Sequence, residues 1–360
     1  MRKLFAFPKF GAGIRWPKSL VHCLALWGLA LSFSGIALAA TFATFDSKGS
    51  GETSPESINA AGAITGYFVD KDGAPRGFLR SPRGDITQID PPGSVSTNPD
   101  CINDAGAITG DYSDGTRSHG FLRSPSGPFT TFDPKGSVET SPESINAAGV
   151  ITGNFEDKDG TSHGFMRSAG GDITLFDAPG AGTGAHQGTI PVSINTSGAI
   201  TGYYTDGARS HGFLRSPGGD ITSFDAPSAG TGWSQGQGQF LGTFPRSINA
   251  AGAITGEYQD EGGTNHGFLR SAGGDITTID PTGSAQIFPR SINAAGVITG
   301  GYKDKGNTTH GFLRSPNGDI TTIDASGSVA TSPESINEAG AITGYFMDKD
   351  FIFHGFLLSP

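Results

Sequence analysis

Cysteine is nearly missing from this chain: Cys23 and Cys101 are the two present. Cys23 lies in an N-terminal apolar run, so no internal disulfide framework is expected, which excludes the small stapled secreted domains. Positive charge is also scarce, with 24 Lys and Arg against 34 Asp and Glu, for a net charge of −10. Such a chain lacks the basic footprint that phosphate-backbone binding needs, so nucleic acid is not an expected partner. Nucleophile elbows, phosphate-cradling loops and paired metal motifs are missing too, and the reading leans away from an enzyme. Hydrophobic residues make up only 35% while glycine reaches 57 residues, a balance that low-complexity chains share. Here, however, the glycines recur at fixed places.

One long apolar run exists, Leu20 to Ala39, behind Arg2, Lys3, Lys9, Arg15 and Lys18 and ending in Ala37-Leu38-Ala39. Basic head, apolar middle and a small-x-small exit make a secretory signal over residues 1–39. Cleavage after Ala39 is expected, with an uncleaved membrane anchor as the alternative; His22 beside Cys23 makes a poor lipoprotein site. The expected product, residues 40–360, is a single domain in the periplasm or outside the cell. It has 19 Lys and Arg and a net charge of −15. A domain of that size buries enough surface to fold without staples, and Cys101 reads as a small buried residue.

What the chain has in abundance is one repeated sentence: S-I-N-x-x-G-x-I-T-G-x-[FY], a polar loop, H-G-F-L-R-S, a glycine turn, then D-I-T-x-[FI]-D. Its Asn falls at 59, 103, 146, 195, 249, 293 and 337. Its closing Asp falls at 46, 90, 133, 177, 225, 280 and 324. A period near 44 residues with short strand patterns predicts propeller blades of four antiparallel strands. Asn59-Ala60-Ala61-Gly62 and its counterparts read as tight turns, because Asn can bond its own backbone and Gly accepts the left-handed position. Residues 41–46 form a fourth strand with no blade before it, and 355–358 a third strand with nothing after it. Pairing them predicts a seven-bladed ring; a β-solenoid is the alternative, although it would want polar capping repeats.

Six histidines precede Gly-Phe, and each stands opposite an Asp across the expected hairpin: His119 and Asp133, His163 and Asp177, His211 and Asp225, His266 and Asp280, His310 and Asp324. His354 should meet Asp46 across the chain ends. Arg76 replaces His opposite Asp90. One such pair would suggest a catalytic dyad, but repetition in every unit makes these structural cross-strand pairs, each contributing roughly 0.2–1 kcal/mol. No cofactor is expected. Asp70 with Asp72 and Asp157 with Asp159 are the lesser calcium candidates, supplying about two carboxylates where calcium takes six to eight oxygens; Asp348 and Asp350 repeat the pattern.

Function is sought where the repeat breaks. The slot after I-T-G reads Tyr67, Asp111, Asn154, Tyr203, Glu257, Gly301 and Tyr345, so Asp111 and Glu257 are unrepeated acids. Glu257 carries the alternative reading, a carbohydrate-active hydrolase or lyase. Insertions occupy 181–190 and 228–244, both in the connection from a fourth strand to the next first strand. They should rise side by side on one face. The second holds Trp233, Gln235, Gln237 and Phe240, the first His186 and Gln187. An aromatic among amides suits a sugar-like ligand, so the leading reading is a binding module for a glycan or a cell-surface partner. A purely structural module, in which Trp233 fills the channel mouth, is the third reading.

The three phrases in order, over about Thr41 to Pro360, resemble the bacterial extracellular HAF-type repeat. Arg76 departs from its His and Leu358 from its third-strand Arg. The resemblance implies export and a propeller-like fold, and it implies no reaction or ligand.

Overall fold

The computed structural model describes residues 41–234 and 239–360. The expected signal segment, and Gln235 and Gln237, lie outside the described residues. Those residues form strands and turns with no helix among them. The first repeat is an antiparallel meander of strands Glu52–Ile58, Ile64–Val69, Pro75–Arg80 and Ile86–Gln88. The same meander runs from Ser96–Ile102 to Phe129–Phe132, from Glu139–Ile145 to Ile173–Phe176 and from Gly188–Ile194 to Ile221–Phe224. It recurs from Thr243–Ile248 to Ile276–Ile279 and from Ser284–Ile292 to Ile320–Thr322. The last repeat has strands Ala330–Ile336, Ile342–Met347 and Phe353–Ser359. Thr41–Phe45 pairs antiparallel with the third of these, Phe42 opposite Leu358 and Phe45 opposite Gly355.

The repeated residues build these units in a definite way. Asn59 Oδ1 accepts the Ala63 N–H while Gly62 takes φ +82°, so the first hairpin closes in two turn residues. Gly66 faces the first strand so closely that any Cβ would collide with the Ser54 carbonyl, which is why I-T-G ends in glycine. Thr65 is wholly buried, and its hydroxyl donates to the Phe78 carbonyl at 2.9 Å, satisfying the group in the core. Ile58, Ile64, Phe68 and Phe78 are buried together and repeat from unit to unit. Burying each such side chain contributes about 1.5–3 kcal/mol.

The apolar layer lies between successive units. The cluster around Phe78 takes in Phe45 of the N-terminal strand and Ala341 and Leu357 from the opposite end of the chain. Arg80 stacks over Phe45, Arg167 over Phe132, Arg215 over Phe176 and Arg270 over Phe224. The Arg of G-F-L-R thus rests on the fourth-strand ring of the preceding unit, a cation–π contact.

Each first strand carries a bulge. Pro55 pairs with Gly66 and Ser57 with Thr65, leaving Glu56 as the extra residue. The same skip leaves Asp100, Glu143, Val192, Arg246, Arg290 and Glu334 unpaired. A bulge re-aims its side chain, and here it does so toward other bulges.

Candidate functional site

The histidines stand between two carboxylates rather than one. His119 Nδ1 meets Asp133 at 2.7 Å and its Nε2 meets Asp114 at 3.3 Å. His163 lies between Asp177 and Asp157, His211 between Asp225 and Asp206, and His266 between Asp280 and Asp260. His310 meets Asp324 at 2.8 Å and Asp304 at 3.6 Å. His354 meets Asp46 at 2.9 Å and Asp348 at 3.3 Å, joining the chain ends. Each ring also stacks on its second-strand aromatic, as His163 does on Phe155 at 5.2 Å. Burial works against the charged form of His163, but Asp177 and Asp157 outweigh it and raise its pKa.

Arg76 differs from the expected pairing. Its Nε donates to Asp70 at 2.8 Å, while Asp90 accepts from the Gly77 N–H and from Gln88. The longer Arg side chain reaches the loop carboxylate that histidine touches only with its far nitrogen. The same loop carboxylates were the calcium candidates. Asp70 Oδ1 accepts the N–H groups of Asp72 and Ala74, and Asp157 Oδ1 those of Asp159 and Thr161. Asp159 itself meets Lys158 at 2.5 Å. These oxygens cap their own loops.

The two insertions do meet. Trp233–Ser234 and Gln239–Phe240 form a short hairpin, with the Trp233 and Phe240 rings edge to face at 4.9 Å. Trp233, Gln239, Phe240 and His186 line one cavity of about 210 Å³ with Tyr203 and Phe244. Trp233 keeps 45% of its surface exposed. His186 holds φ +63° at the turn of the first insertion. Gln187 does not join them. Its amide fits between Gly182, Gly184 and Gly207 and accepts the Gly184 N–H, so it braces its own loop.

Tyr203 connects this cavity to the unrepeated acids. Its ring lies edge to face on Phe244 at 5.1 Å. Burial raises its pKa, with Arg246 acting the other way. Arg246 donates twice to Glu257 Oε1, at 2.8 and 2.5 Å, and Glu257 is 4% exposed. Burial opposes the Arg246 charge, but Glu257 more than restores it. The Glu257 carboxylate is thus buried and bound to the half-buried Arg246 guanidinium, a poor position for proton transfer to a substrate.

The functional residues that sequence reasoning missed are the bulge side chains. Glu56, Asp100, Glu143, Arg246, Arg290 and Glu334 influence one another's ionisation across units. Burial, then Glu334, pushes the Glu56 carboxyl up to about 8. Burial, then Asp111, pushes Glu143 up to about 7. Asp100 is raised by burial, then by Glu143. The signal was present in the sequence: within P-x-S-I-N the x slot runs from Glu to Asp to Val to Arg, while the Ser slot changes once, to Cys101.

A scan against protein-family models finds no match, and a search of curated proteins finds none either. Solved structures are similar in fold. Virginiamycin B lyase from Staphylococcus aureus, solved with quinupristin, superposes with a TM-score of 0.58 at 15% identity, covering 89% of this chain and 100% of that one. The β-propeller domain of the Trilobed protease from Pyrococcus furiosus, described as having an open velcro topology, gives 0.56 at 8% identity, covering 87% and 94%. The BP39L lectin from Burkholderia pseudomallei gives 0.51 at 10% identity, covering 89% and 96%. At such identities the likeness shows the fold alone, and that fold is propeller-like.

Proposed function

We propose that this protein is an exported, seven-bladed propeller of the HAF-repeat type. It binds a glycan or a cell-surface partner on the face carrying the two insertions. Support for the closed ring comes from the asparagines. Asn59 Nδ2 donates to the Asn103 carbonyl, Asn103 to Asn146, Asn146 to Asn195 and Asn195 to Asn249. Asn249 donates to Asn293, Asn293 to Asn337, and Asn337 back to Asn59 at 3.0 Å. Pairing of Thr41–Phe45 with the last repeat supports the same reading.

The observation that carries the binding role is the cavity between the insertions, where Trp233, Phe240 and His186 come together from separate departures from the repeat. A half-exposed indole beside amide and hydroxyl groups combines stacking with hydrogen bonding, which neutral sugars use. The engagement of buried Glu257 by Arg246 disfavours the hydrolase or lyase alternative. A glycan array probed with the wild type and with Trp233→Ala tests the role. The expected result is a restricted set of bound glycans, each weakened by about 2 kcal/mol in the variant, roughly thirtyfold. Glycans held equally well by both proteins would remove Trp233 from the site. For export, the mature N-terminus of the secreted protein is expected at Ala40.

A further inference from the structure

A second cavity, of about 360 Å³, lies at the same edge of the sheets, where first strands begin and third strands begin. It is built by the last and first repeats, with Arg290 added from the sixth. Its walls include the rings of Tyr67, Tyr345 and Phe353, with Phe353 edge to face on Tyr345 at 5.5 Å. Three carboxyl groups also line it, those of Glu52, Glu56 and Glu334, against one guanidinium, that of Arg290. Arg290 stands 3.5 Å from Glu334, too long for a tight bidentate pair. The lining therefore combines aromatic rings with three carboxyl groups against a single guanidinium.

The loop leading into this cavity breaks the repeat in an apolar direction. Asp348-Lys349-Asp350 matches Asp70-Lys71-Asp72, but Phe351-Ile352-Phe353 follows where Gly73-Ala74-Pro75 and Gly160-Thr161-Ser162 stand elsewhere. Phe351 occupies the left-handed glycine position, at φ +63°, and is 72% exposed; Ile352 is exposed as well. The protein thus presents an apolar lip two residues from a cavity wall.

We propose that this cavity binds an organic ammonium ion carried on an apolar body. The cation sits among Glu56, Glu334 and Glu52 against the faces of Tyr67 and Tyr345, and the apolar body lies along Phe353 toward Phe351. Aromatic faces and carboxylates both attract an ammonium group, and desolvation strengthens the aromatic share. An anionic ligand would meet three carboxyl groups, and a neutral one would gain nothing from drawing the proton off Glu56.

The ionisation of Glu56 gives the site a second signature. Glu334 and Arg290 face it with opposite charges, Ser54 bonds it, Tyr67 lies beside it and Asp100 is next along the row of bulges. Burial, then Glu334, pushes the Glu56 carboxyl up to about 8. A bound cation draws out the carboxyl proton, so affinity rises with pH to that point, by at most about tenfold per unit.

Calorimetric titration of the full chain with benzyltrimethylammonium, whose charge does not titrate, tests this. Benzyl alcohol and benzoate serve as neutral and anionic controls, at pH 6, 7 and 8. The expected result is binding of the cation alone, strengthening with pH and releasing protons below pH 8. Glu56→Gln should weaken it at least about tenfold at pH 8 and flatten the pH dependence. Phe351→Gly, which restores the repeat, should weaken it while folding normally, and Trp233→Ala should leave it unchanged. Equal binding of benzyl alcohol, no binding of the cation, or full binding by Glu56→Gln and Phe351→Gly would overturn the proposal. Loss of binding in Trp233→Ala would move the cation to the insertion cavity and overturn it as well.

Discussion

Glu56 and its neighbours show how one residue sets the pH response of the molecule. Carboxyl groups ordinarily titrating near 4.5 are raised to about 8 at Glu56 and about 7 at Glu143. The folded protein therefore holds protons that the unfolded chain has released, and stability falls as pH rises from 4.5 through those values. His163, His310 and His354 act in the same direction. Their pKa values lie above 6.5, so their contribution is complete below 6.5 and lost as pH passes the folded value. The loop carboxylates Asp70, Asp157 and Asp348 are held below 3.8, and their contribution is lost only as pH falls below that value. Scanning calorimetry should find the highest Tm near pH 5 and a decline toward pH 8, shallower in Glu56→Gln; a Tm that rises toward pH 8 would contradict this account. Phe351 gives a second prediction at this scale. A bulky residue in the left-handed region costs roughly 1–2 kcal/mol, and this ring buries little. Phe351→Gly should raise stability by about 1 kcal/mol in urea unfolding.

Within the single element, glycine and asparagine matter more than hydrophobic alternation. Gly256 lies where a Cβ would strike the Phe244 carbonyl, a backbone atom that the hairpin cannot move cheaply. Gly256→Ala should cost at least about 3 kcal/mol, more than a usual overpacked core, because no side chain can give way. A loss under 1 kcal/mol in chemical denaturation would mean that the strands separate easily. The bulge after each Pro is the element that reading strand by strand misses. Alternation along P-E-S-I-N places Glu56 on an ordinary face, whereas the skipped register turns it toward the bulges of other units. The His–Asp pairs were legible because a hairpin with a known turn sets its own register. The second Asp, in the loop, was not, because loop conformation fixes that contact.

For the whole molecule, the proposed ring makes a demand that no unit makes alone. Thr41–Phe45 covers Phe356 by stacking Phe42 on it at 4.7 Å, and Phe45 packs on Phe78 of the first repeat. Removing residues 41–46 should lower Tm by 10 °C or more, since several buried aromatic contacts and the Asp46–His354 bond go together. An unchanged melting curve would show that the ring does not depend on that strand. Asn337→Ala removes the bond back to Asn59 and leaves the Ala341 N–H without its partner. That should cost about 1–3 kcal/mol, measured by the same unfolding.

The residues by themselves determined the repeat unit, its turns, the His–Asp pairs and the place of the two insertions. All of these depend on neighbours within one unit, and short-range backbone geometry governs them. Tertiary structure alone decided that Glu56, Glu334 and Arg290 would share a cavity and that Gln187 would brace its loop. Those partners are separated by whole repeats or by an irregular loop. Their meeting follows from how successive sheets pack around one another, and no spacing within a unit encodes that.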